Sequence, residues 1–172
     1  MKIRAAEPKD AQELVALAED VGREPGDFLL TTDAWRTVAE ERRYIRAVRD
    51  HPDAAVYVAE VDGIVAGRLS LARDSHGASS HVADLGLMVA ARYRRRGIGW
   101  ALLEQAVGWA RGSGVRKLEL HVFPWNEPAV RLYEAFGFVR EGLRVGHYAR
   151  GSEDVDAVLM GYRVGRPTDR AA

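Results

Sequence analysis

One stretch, residues 85–99 (LGLMVAARYRRRGIG), constrains the fold of this chain more than any other. It begins with an apolar run that predicts a buried strand, continues through an arginine-rich turn, and ends in Gly97-Ile98-Gly99. The next residues carry apolar side chains at helical spacing, so a helix follows the turn directly. The first N–H groups of a helix have no partner inside it and carry the positive end of the helix dipole. This order of elements is therefore typical of a phosphate-binding turn.

Length and charge limit the classes of function that remain. The chain has 172 residues, which suits one domain with an adequate core. Its 25 Lys and Arg balance 25 Asp and Glu, so the sequence predicts no nucleic-acid partner and no attraction to an anionic membrane. It contains no cysteine, which excludes disulfides, thiolate metal ligands and a cysteine nucleophile, and we expect no metal. The N-terminus lacks the apolar core of a signal peptide, and no apolar run has membrane-spanning length, so we expect a cytoplasmic protein.

Apolar periodicity and turn residues predict a fold that mixes helices and strands. Strands are predicted at residues 2–6, 54–61, 64–72, 81–89, 117–123, 138–148 and 155–164, and helices at residues 11–21, 33–48, 98–111 and 127–136. We expect Asp10 with Glu13 to cap the first helix, and Thr32 or Asp33 to cap the second. The strand–helix–strand unit at residues 81–123 implies a right-handed parallel crossover, whereas the flanking hairpins imply antiparallel neighbours.

A second motif lies downstream, in residues 126–138 (NEPAVRLYEAFGF). It resembles the pattern N-x-x-A-x-x-L-Y-x-x-x-G-F of the GNAT acetyltransferases, and the first motif resembles their Q/R-x-x-G-x-G/A signature, with Arg94, Gly97 and Gly99 in its fixed places. The resemblance is specific over residues 85–138 and extends loosely over residues 2–164. It implies a GNAT-like α/β fold with a central mixed, mostly antiparallel sheet of about seven strands. We expect residues 1–164 to form one domain, and residues 165–172 to be a disordered tail.

The resemblance also implies acetyl-coenzyme A (acetyl-CoA) as co-substrate, with its pantetheine arm between the strand that ends at Val89 and the strand that contains His121. Residues implied to contact it are Leu87, Met88, Val89, Arg94, Arg95, Arg96, Gly97, Ile98, Gly99, Trp100 and Asn126. Tyr133 would protonate the departing thiolate. Simpler readings exist for two of these residues: Asn126 stands where a helix N-cap belongs, and Tyr133 could be a core residue.

The general base is less clearly marked. Deprotonating a lysine-like amine of pKa ~10.4 at pH 7 costs about 4.6 kcal/mol, whereas a peptide α-amine near ~7.8 costs only about 1 kcal/mol. His121 and Asp84 are the main candidates, and Glu119 shares the strand face of His121. The simpler interpretation of His121 is a half-buried histidine of the sheet. The irregular residues 22–30 and the closing hairpin supply further polar groups for an amine substrate, namely Glu24, Asp27, Tyr148 and Asp156.

These features together predict an acetyl-CoA-dependent N-acetyltransferase. Its acceptor would be the primary amine of a small molecule, an amino acid or a peptide, attacking directly in a ternary complex. Two alternatives remain open: a non-catalytic acyl-CoA-binding sensor or interaction module, and an N-terminal acetyltransferase of proteins. The partners we expect are acetyl-CoA and the amine, and a homodimer is kept open.

Overall fold

The computed structural model describes residues 1–30 and 35–165. Within them the elements follow in the order β1 (Lys2–Ala5), α1 (Ala11–Gly22), α2 (Val38–Arg49), β2 (Ala54–Val61), β3 (Ile64–Arg73), β4 (Val82–Val89), α3 (Ile98–Ser113), β5 (Lys117–Val122), α4 (Glu127–Phe136), β6 (Val139–Arg150) and β7 (Glu153–Arg163). Short 3-10 turns lie at Pro8–Asp10, Gly77–Ser79 and Ala91–Tyr93. Of the predicted tail at residues 165–172, all but residue 165 lies outside the described residues.

The strands form one seven-stranded sheet in the order β1-β2-β3-β4-β5-β7-β6. Every neighbouring pair is antiparallel except β4 and β5, which are parallel and are joined through α3. The mixed, mostly antiparallel sheet with one parallel crossover is therefore confirmed. The turn between β2 and β3 has positive φ at both Asp62 (51°) and Gly63 (80°), which is the backbone that the Asp-Gly pair predicts for a tight hairpin.

Helices cover the two faces of the sheet and create two apolar cores. On one face α3 and α4 pack against β3, β4, β5 and β7 through residues such as Leu69, Leu102, Leu118 and Met160. On the other face α1 and α2 pack against the β1–β3 half through residues such as Leu14, Ile45 and Val58. Among the described residues, no helix covers the β5–β7–β6 half of that second face, and β6 at the edge is exposed along most of its length.

One predicted helix start and one predicted helix cap are wrong. The helix expected from residue 33 begins at Val38, because Thr37 and Glu40 form a capping box: the Glu40 backbone N–H donates to Thr37 Oγ1 (3.3 Å), and the Thr37 N–H donates to the Glu40 carboxylate (2.8 Å). Thr32 and Asp33 lie outside the described residues. Asp10 precedes α1 without capping it, because its carboxylate accepts from the Arg4 guanidinium (2.7 and 2.9 Å) and from the Glu7 N–H (2.7 Å).

The parallel pair opens after three residues. Val82–Asp84 pair with Lys117–Glu119, but β4 continues to Val89 and β5 to Val122 without further pairing to each other. Beyond Asp84, the strand neighbour of β4 within residues 1–30 and 35–165 is therefore β3 alone. The strands part there, and backbone groups on the β5 side of β4 are left without a ladder partner.

Candidate active site

The opening between β4 and β5 continues into a cleft of about 1000 Å³. Its walls come from β3, β4, β5, the glycine turn, α4 and the segment between α1 and α2. Most of the predicted site residues line it, namely Leu87, Met88, Val89, Arg94, Arg95, Gly97, Ile98, Gly99, Trp100, His121, Asn126 and Tyr133. Two predicted residues, Arg96 and Asp84, are not among the described residues that form its wall.

The glycine turn presents a cluster of backbone donors to this cleft. Arg95 (φ 61°) and Gly97 (φ 78°) both adopt left-handed backbone, which folds the chain sharply before α3. Within the described residues, no backbone carbonyl accepts from the N–H groups of Ile98, Gly99 or Trp100, and Gly97 supplies no side-chain cap. Three donors and the positive end of a 16-residue helix therefore converge where an anion can bind.

The two glycines of the turn serve different purposes. A Cβ at Gly97 would meet nothing within 4 Å, so glycine is favoured there by the positive φ and leaves the space beside the backbone open. A Cβ at Gly99 would lie 2.7 Å from Leu132 Cδ2, so any larger residue there would force the Leu132 side chain of α4 to shift. The motif thus encodes both a turn and a helix–helix contact.

Arg94 is held by protein groups on both sides. Its guanidinium donates to both carboxylate oxygens of Glu24 (2.6 and 2.7 Å), and its Nε donates to the backbone carbonyl of Val89 (2.9 Å). The bidentate pair ties the α1–α2 segment to the end of β4. Arg94 thus orders the wall of the cleft, while Arg95 lines the cleft and Arg96 lies against the Tyr93 ring (5.6 Å).

Asn126 caps α4, which is one of the two roles that the sequence predicts for it. Its Oδ1 accepts from the backbone N–H of Ala129 (3.3 Å), and the residue also lines the cleft. The same amide carries two N–H donors that the cap does not use. The capping role and a role in binding are therefore compatible in this position. Trp100 also lines the cleft. Its Nε1 donates to Glu104 (3.1 Å), and its ring packs edge-on against Phe136.

Tyr133 projects from α4 and is 6% exposed. Its ring packs against Phe138, with 5.7 Å between centroids, while the residue also lines the cleft. Its hydroxyl has no hydrogen-bond partner within the described part of the chain. Burial raises the pKa of Tyr133 to about 12, so the hydroxyl stays protonated throughout the physiological range and can donate a proton or a hydrogen bond.

His121 lies on the other side of the opening, on β5. Strand alternation places it on the face opposite Leu120 and Val122, as predicted. Its Nδ1 is 2.7 Å from the hydroxyl of Tyr148, and its buried Nε2 has no partner within the described residues. Burial is the largest cause that lowers the pKa of His121, and the neighbouring Arg144 and His147 lower it further. A neutral imidazole is therefore favoured near pH 7.

Asp84 and Glu119, the two carboxylates considered as general bases besides His121, lie outside the cleft wall formed by the described residues. Asp84 pairs with Glu119 in the parallel ladder, at the point where the opening begins. Burial, with the negative charges of Glu119 and Asp74, raises the pKa of Asp84. Glu119 is bound by the Lys117 ammonium, which also contacts Glu141 (2.6 Å). Neither carboxylate lines the cleft among the described residues.

The segment at residues 22–30 closes one side of the cleft, and sequence reasoning left its contacts unassigned. Besides the Glu24–Arg94 pair, the Gly26 carbonyl accepts from Trp125 Nε1 (3.1 Å). Arg150 donates to the Asp27 carboxylate and to the Leu29 carbonyl. Glu24 and Asp27 are therefore structural ion-pair partners, and Asp156 is also engaged, accepting from the Gly146 N–H (2.8 Å).

Sequence reasoning missed two charged residues of the cleft wall, Arg68 and Arg131. Arg68, on β3, is 4% exposed and lines the cleft beside Trp35 and Ser70. The signal that could have found it is the strand IVAGRLSLA, where an arginine stands inside an apolar run that predicts burial.

Comparison with known proteins agrees with this geometry. The acetyltransferase (GNAT) family model matches residues 14–138. The chain belongs to the GNAT family of acetyltransferases. It is 36% identical over 115 residues to an L-amino acid N-acetyltransferase of Escherichia coli, covering 64% of this chain and 69% of that protein. The recognition of the family from its two motifs, and the fold that this recognition implied, are confirmed.

Solved structures show the same fold. An acetyltransferase of the GNAT family from Streptococcus pneumoniae superposes with a TM-score of 0.84 at 35% identity, covering 95% of this chain and 99% of that one. A Salmonella typhimurium protein solved with its cofactor acetyl-CoA also gives a TM-score of 0.84, at 18% identity, over 100% and 98% of the two chains. The GNAT chain described here is an acetyl-CoA-dependent N-acetyltransferase, with acetyl-CoA as its co-substrate. No helix in the described part of the chain combines the length and apolar character needed to cross a membrane.

Proposed function

We propose that residues 1–164 act as one N-acetyltransferase domain that acetylates the primary amine of a small molecule, an amino acid or a peptide. The observation that carries this proposal is the opening between β4 and β5, which is lined from one side by His121 and from the other by Tyr133. A thioester in that opening would have a protonated hydroxyl and a neutral imidazole within the same cleft. The family relationship adds an L-amino acid N-acetyltransferase among the relatives.

The donors of the glycine turn are proposed to bind the diphosphate of acetyl-CoA, which would orient the rest of the molecule along the cleft. The unpaired β4 edge would bond the pantetheine arm as an added strand, with the Leu87–Val89 backbone and the Asn126 amide as donors. One acceptor on that edge is already used, because the Val89 carbonyl accepts from Arg94. The N–H groups are therefore the more important partners, and one of them would polarise the thioester carbonyl.

The transfer itself is a direct attack. The amine nitrogen forms a bond to the thioester carbon, and the C–S bond breaks as the tetrahedral intermediate collapses. We assign the proton lost by the amine to His121 Nε2, and the proton gained by the leaving thiolate to the Tyr133 hydroxyl. Desolvation disfavours any anion in this position, so it raises the pKa of the departing thiol together with that of Tyr133. Asp84 is proposed to act on the amine only through water, since it stands at the start of the opening.

Two alternatives make different demands on the site. A non-catalytic acyl-CoA-binding module would need the glycine turn but not a hydroxyl near the sulfur. An N-terminal acetyltransferase of proteins would need room for an extended peptide, and the segment at residues 22–30 is tied across one side of the cleft by Arg94, Trp125 and Arg150. That closed wall favours a small acceptor.

The test is a screen of amines, amino acids and short peptides with acetyl-CoA, measured by release of the coenzyme A thiol. We expect turnover with small acceptors and a pH profile that loses its acid limb in His121→Ala. Tight binding of acetyl-CoA without turnover of any acceptor would favour the non-catalytic module. Turnover of peptides alone would favour N-terminal acetylation.

We also propose a cytoplasmic homodimer that uses the free edge of β6. Val139, Leu143 and Val145 are 61%, 54% and 79% exposed on this edge strand, and exposed apolar edges favour pairing with another chain. Light scattering should give the dimer mass, and Val145→Glu should shift it towards the monomer. Cell fractionation checks the location.

A further inference from the structure

Arg68 stands out among the residues that the proposed transfer does not use. It is a charged side chain at 4% exposure in the wall of the cleft. Its guanidinium lies over the ring of Trp35, 5.1 Å from the centroid, and its Nη2 is 3.3 Å from the Glu41 carboxylate. Its buried Nε has no hydrogen-bond partner within the described residues. A buried guanidinium with an unused donor is costly unless another group completes it.

The charges around Arg68 do not balance. Glu41 is fully buried and is contacted by two guanidiniums, those of Arg68 and Arg36, each at 3.3 Å. One carboxylate thus faces two positive charges, and burial lowers the pKa of Arg68 while Arg36 lowers it further. The Nε1 of Trp35, which also lines the cleft, is a second buried donor without a partner in the described part of the chain. The local excess is one positive charge together with two unused N–H donors, which is what an anion requires.

Arg68 lies close to the backbone that would hold the thioester. Arg68 pairs with Met88 across β3 and β4, so it stands one strand spacing, about 4.8 Å, from the β4 backbone that would hold the thioester. Arg68 shares a sheet face with Ser70, which also lines the cleft, and His121 bounds the same cleft from β5. A carboxylate bound on the β3 side would therefore place an amine on the adjacent carbon towards the opening, between Arg68 and His121.

We propose that Arg68 binds the carboxylate of the acceptor, so that the preferred acceptors are α-amino acids rather than simple amines. This inference rests on the proposed function, because it assumes that the acceptor occupies this cleft. The planar guanidinium, held over Trp35, offers donors in the fork that suits a carboxylate. The neighbouring wall is apolar, formed by Phe28, Leu29 and Leu30, so it suits an apolar amino acid side chain.

The main alternative hypothesis is that Arg68 has a purely structural role. The Arg68–Glu41 pair joins β3 to α2, and it could exist only to hold that helix. The two explanations differ in what a variant changes. A structural pair affects stability and affects all acceptors alike, whereas a carboxylate site changes the preference between an amino acid and its decarboxylated analogue.

The first experiment uses the unmodified protein and needs no substitution. L-leucine is compared with L-leucinamide and 3-methylbutylamine, and L-phenylalanine with 2-phenylethylamine, as kcat/KM per neutral amine. We expect the carboxylate to raise kcat/KM by roughly ten- to hundredfold, the range for a charge-assisted bond to a buried group. Normalising to the neutral amine is necessary in the comparison with leucinamide, because a neighbouring carboxylate raises the pKa of an amine and so lowers its neutral fraction. Equal kcat/KM values per neutral amine would overturn the proposal.

The second experiment assigns the preference to Arg68. Arg68→Lys keeps the charge but loses the fork, and Arg68→Gln with Glu41→Gln removes both charges of the buried pair together. Both should reduce the ratio of leucine to 3-methylbutylamine towards one. Arg36→Gln is the matched control, because Arg36 contacts the same Glu41 but does not belong to the described cleft wall, and it should leave the ratio unchanged. A ratio preserved in the Arg68 variants would overturn the proposal.

Calorimetry in the presence of coenzyme A separates the failure of this proposal from failure of the proposed function. Leucine binding that depends on Arg68, without turnover of any acceptor, would refute the catalytic role and leave the carboxylate site standing. Efficient turnover of both amines and amino acids without discrimination would refute the carboxylate site alone. Failure of both leucine and phenylalanine to bind, beside an amine that does bind, would also refute it.

Discussion

Replacing Tyr133 with Phe should abolish most of the activity while leaving the fold intact. The hydroxyl has no hydrogen-bond partner within the described residues and the residue lines the cleft, so removing the hydroxyl breaks no bond inside that part of the protein. The ring, which packs against Phe138, is retained. We therefore expect the free energy of unfolding to change by less than about 1 kcal/mol. With an unfolding entropy of about 2.1 cal/mol/K per residue over 172 residues, this corresponds to a Tm shift below about 3 °C.

The expected loss of activity is much larger than the change in stability. General acid catalysis contributes about 10² to 10⁴ in rate, or roughly 2.7 to 5.4 kcal/mol at 1.36 kcal/mol per factor of ten. Because burial raises the pKa of Tyr133 to about 12, this loss should be constant between pH 6 and pH 9, where the hydroxyl remains protonated. The assay is kcat from thiol release, with the Kd for acetyl-CoA measured by calorimetry and Tm by circular dichroism.

Tyr162→Phe is the matched control. Its ring belongs to the same aromatic group, in contact with Phe136 and Phe138, but the residue is not part of the described cleft wall. It should leave both kcat and Tm unchanged. An unchanged kcat in Tyr133→Phe would show that the hydroxyl is only a core group, and a Tm fall above about 6 °C would show that it has a structural partner. Either result would refute the reasoning.

Three further predictions concern residues around the same cleft. His121→Gln should lower kcat/KM by roughly 10²-fold and remove the acid limb from its pH profile. That limb should lie below pH 6.5, because the pKa of His121 is lowered. An unchanged pH profile would exclude His121 as the base. Asn126→Ala should lower Tm by about 3 °C, because the cap of α4 is lost. Asn126→Asp keeps the acceptor oxygen and should only weaken acetyl-CoA binding, by up to about tenfold. Identical calorimetric Kd values for Asn126→Asp and the unmodified protein would restrict Asn126 to capping. Gly99→Ala should cost about 1 to 3 kcal/mol because its Cβ would meet Leu132 at 2.7 Å, while Gly108→Ala, with nothing within 4 Å, should be neutral or stabilising in thermal melts.

Local patterns in the sequence were sufficient for most of the fold. The Asp62-Gly63 turn, the helix at Glu127–Phe136 and its Gly137 cap are short-range structures, in which neighbouring residues supply both the propensity and the stop signal. The two motifs were sufficient for the family, because each joins a turn to a helix start within a few residues. The second helix was placed too early because several residues before it could act as a cap, and the Thr37–Glu40 box decided between them.

What the sequence by itself determined is the order of the elements, the family and the strand face of His121. Only the tertiary structure decided which charges meet: Glu24 is 70 positions from Arg94, and Arg68 and Glu41 come from different elements on one face of the sheet. The sequence does not show which charges form such ion pairs, because neither residue alone indicates the distant partner that it will meet. The physical reason is that the apolar period specifies which face of an element is buried, whereas the partner of a buried charge depends on how distant elements pack.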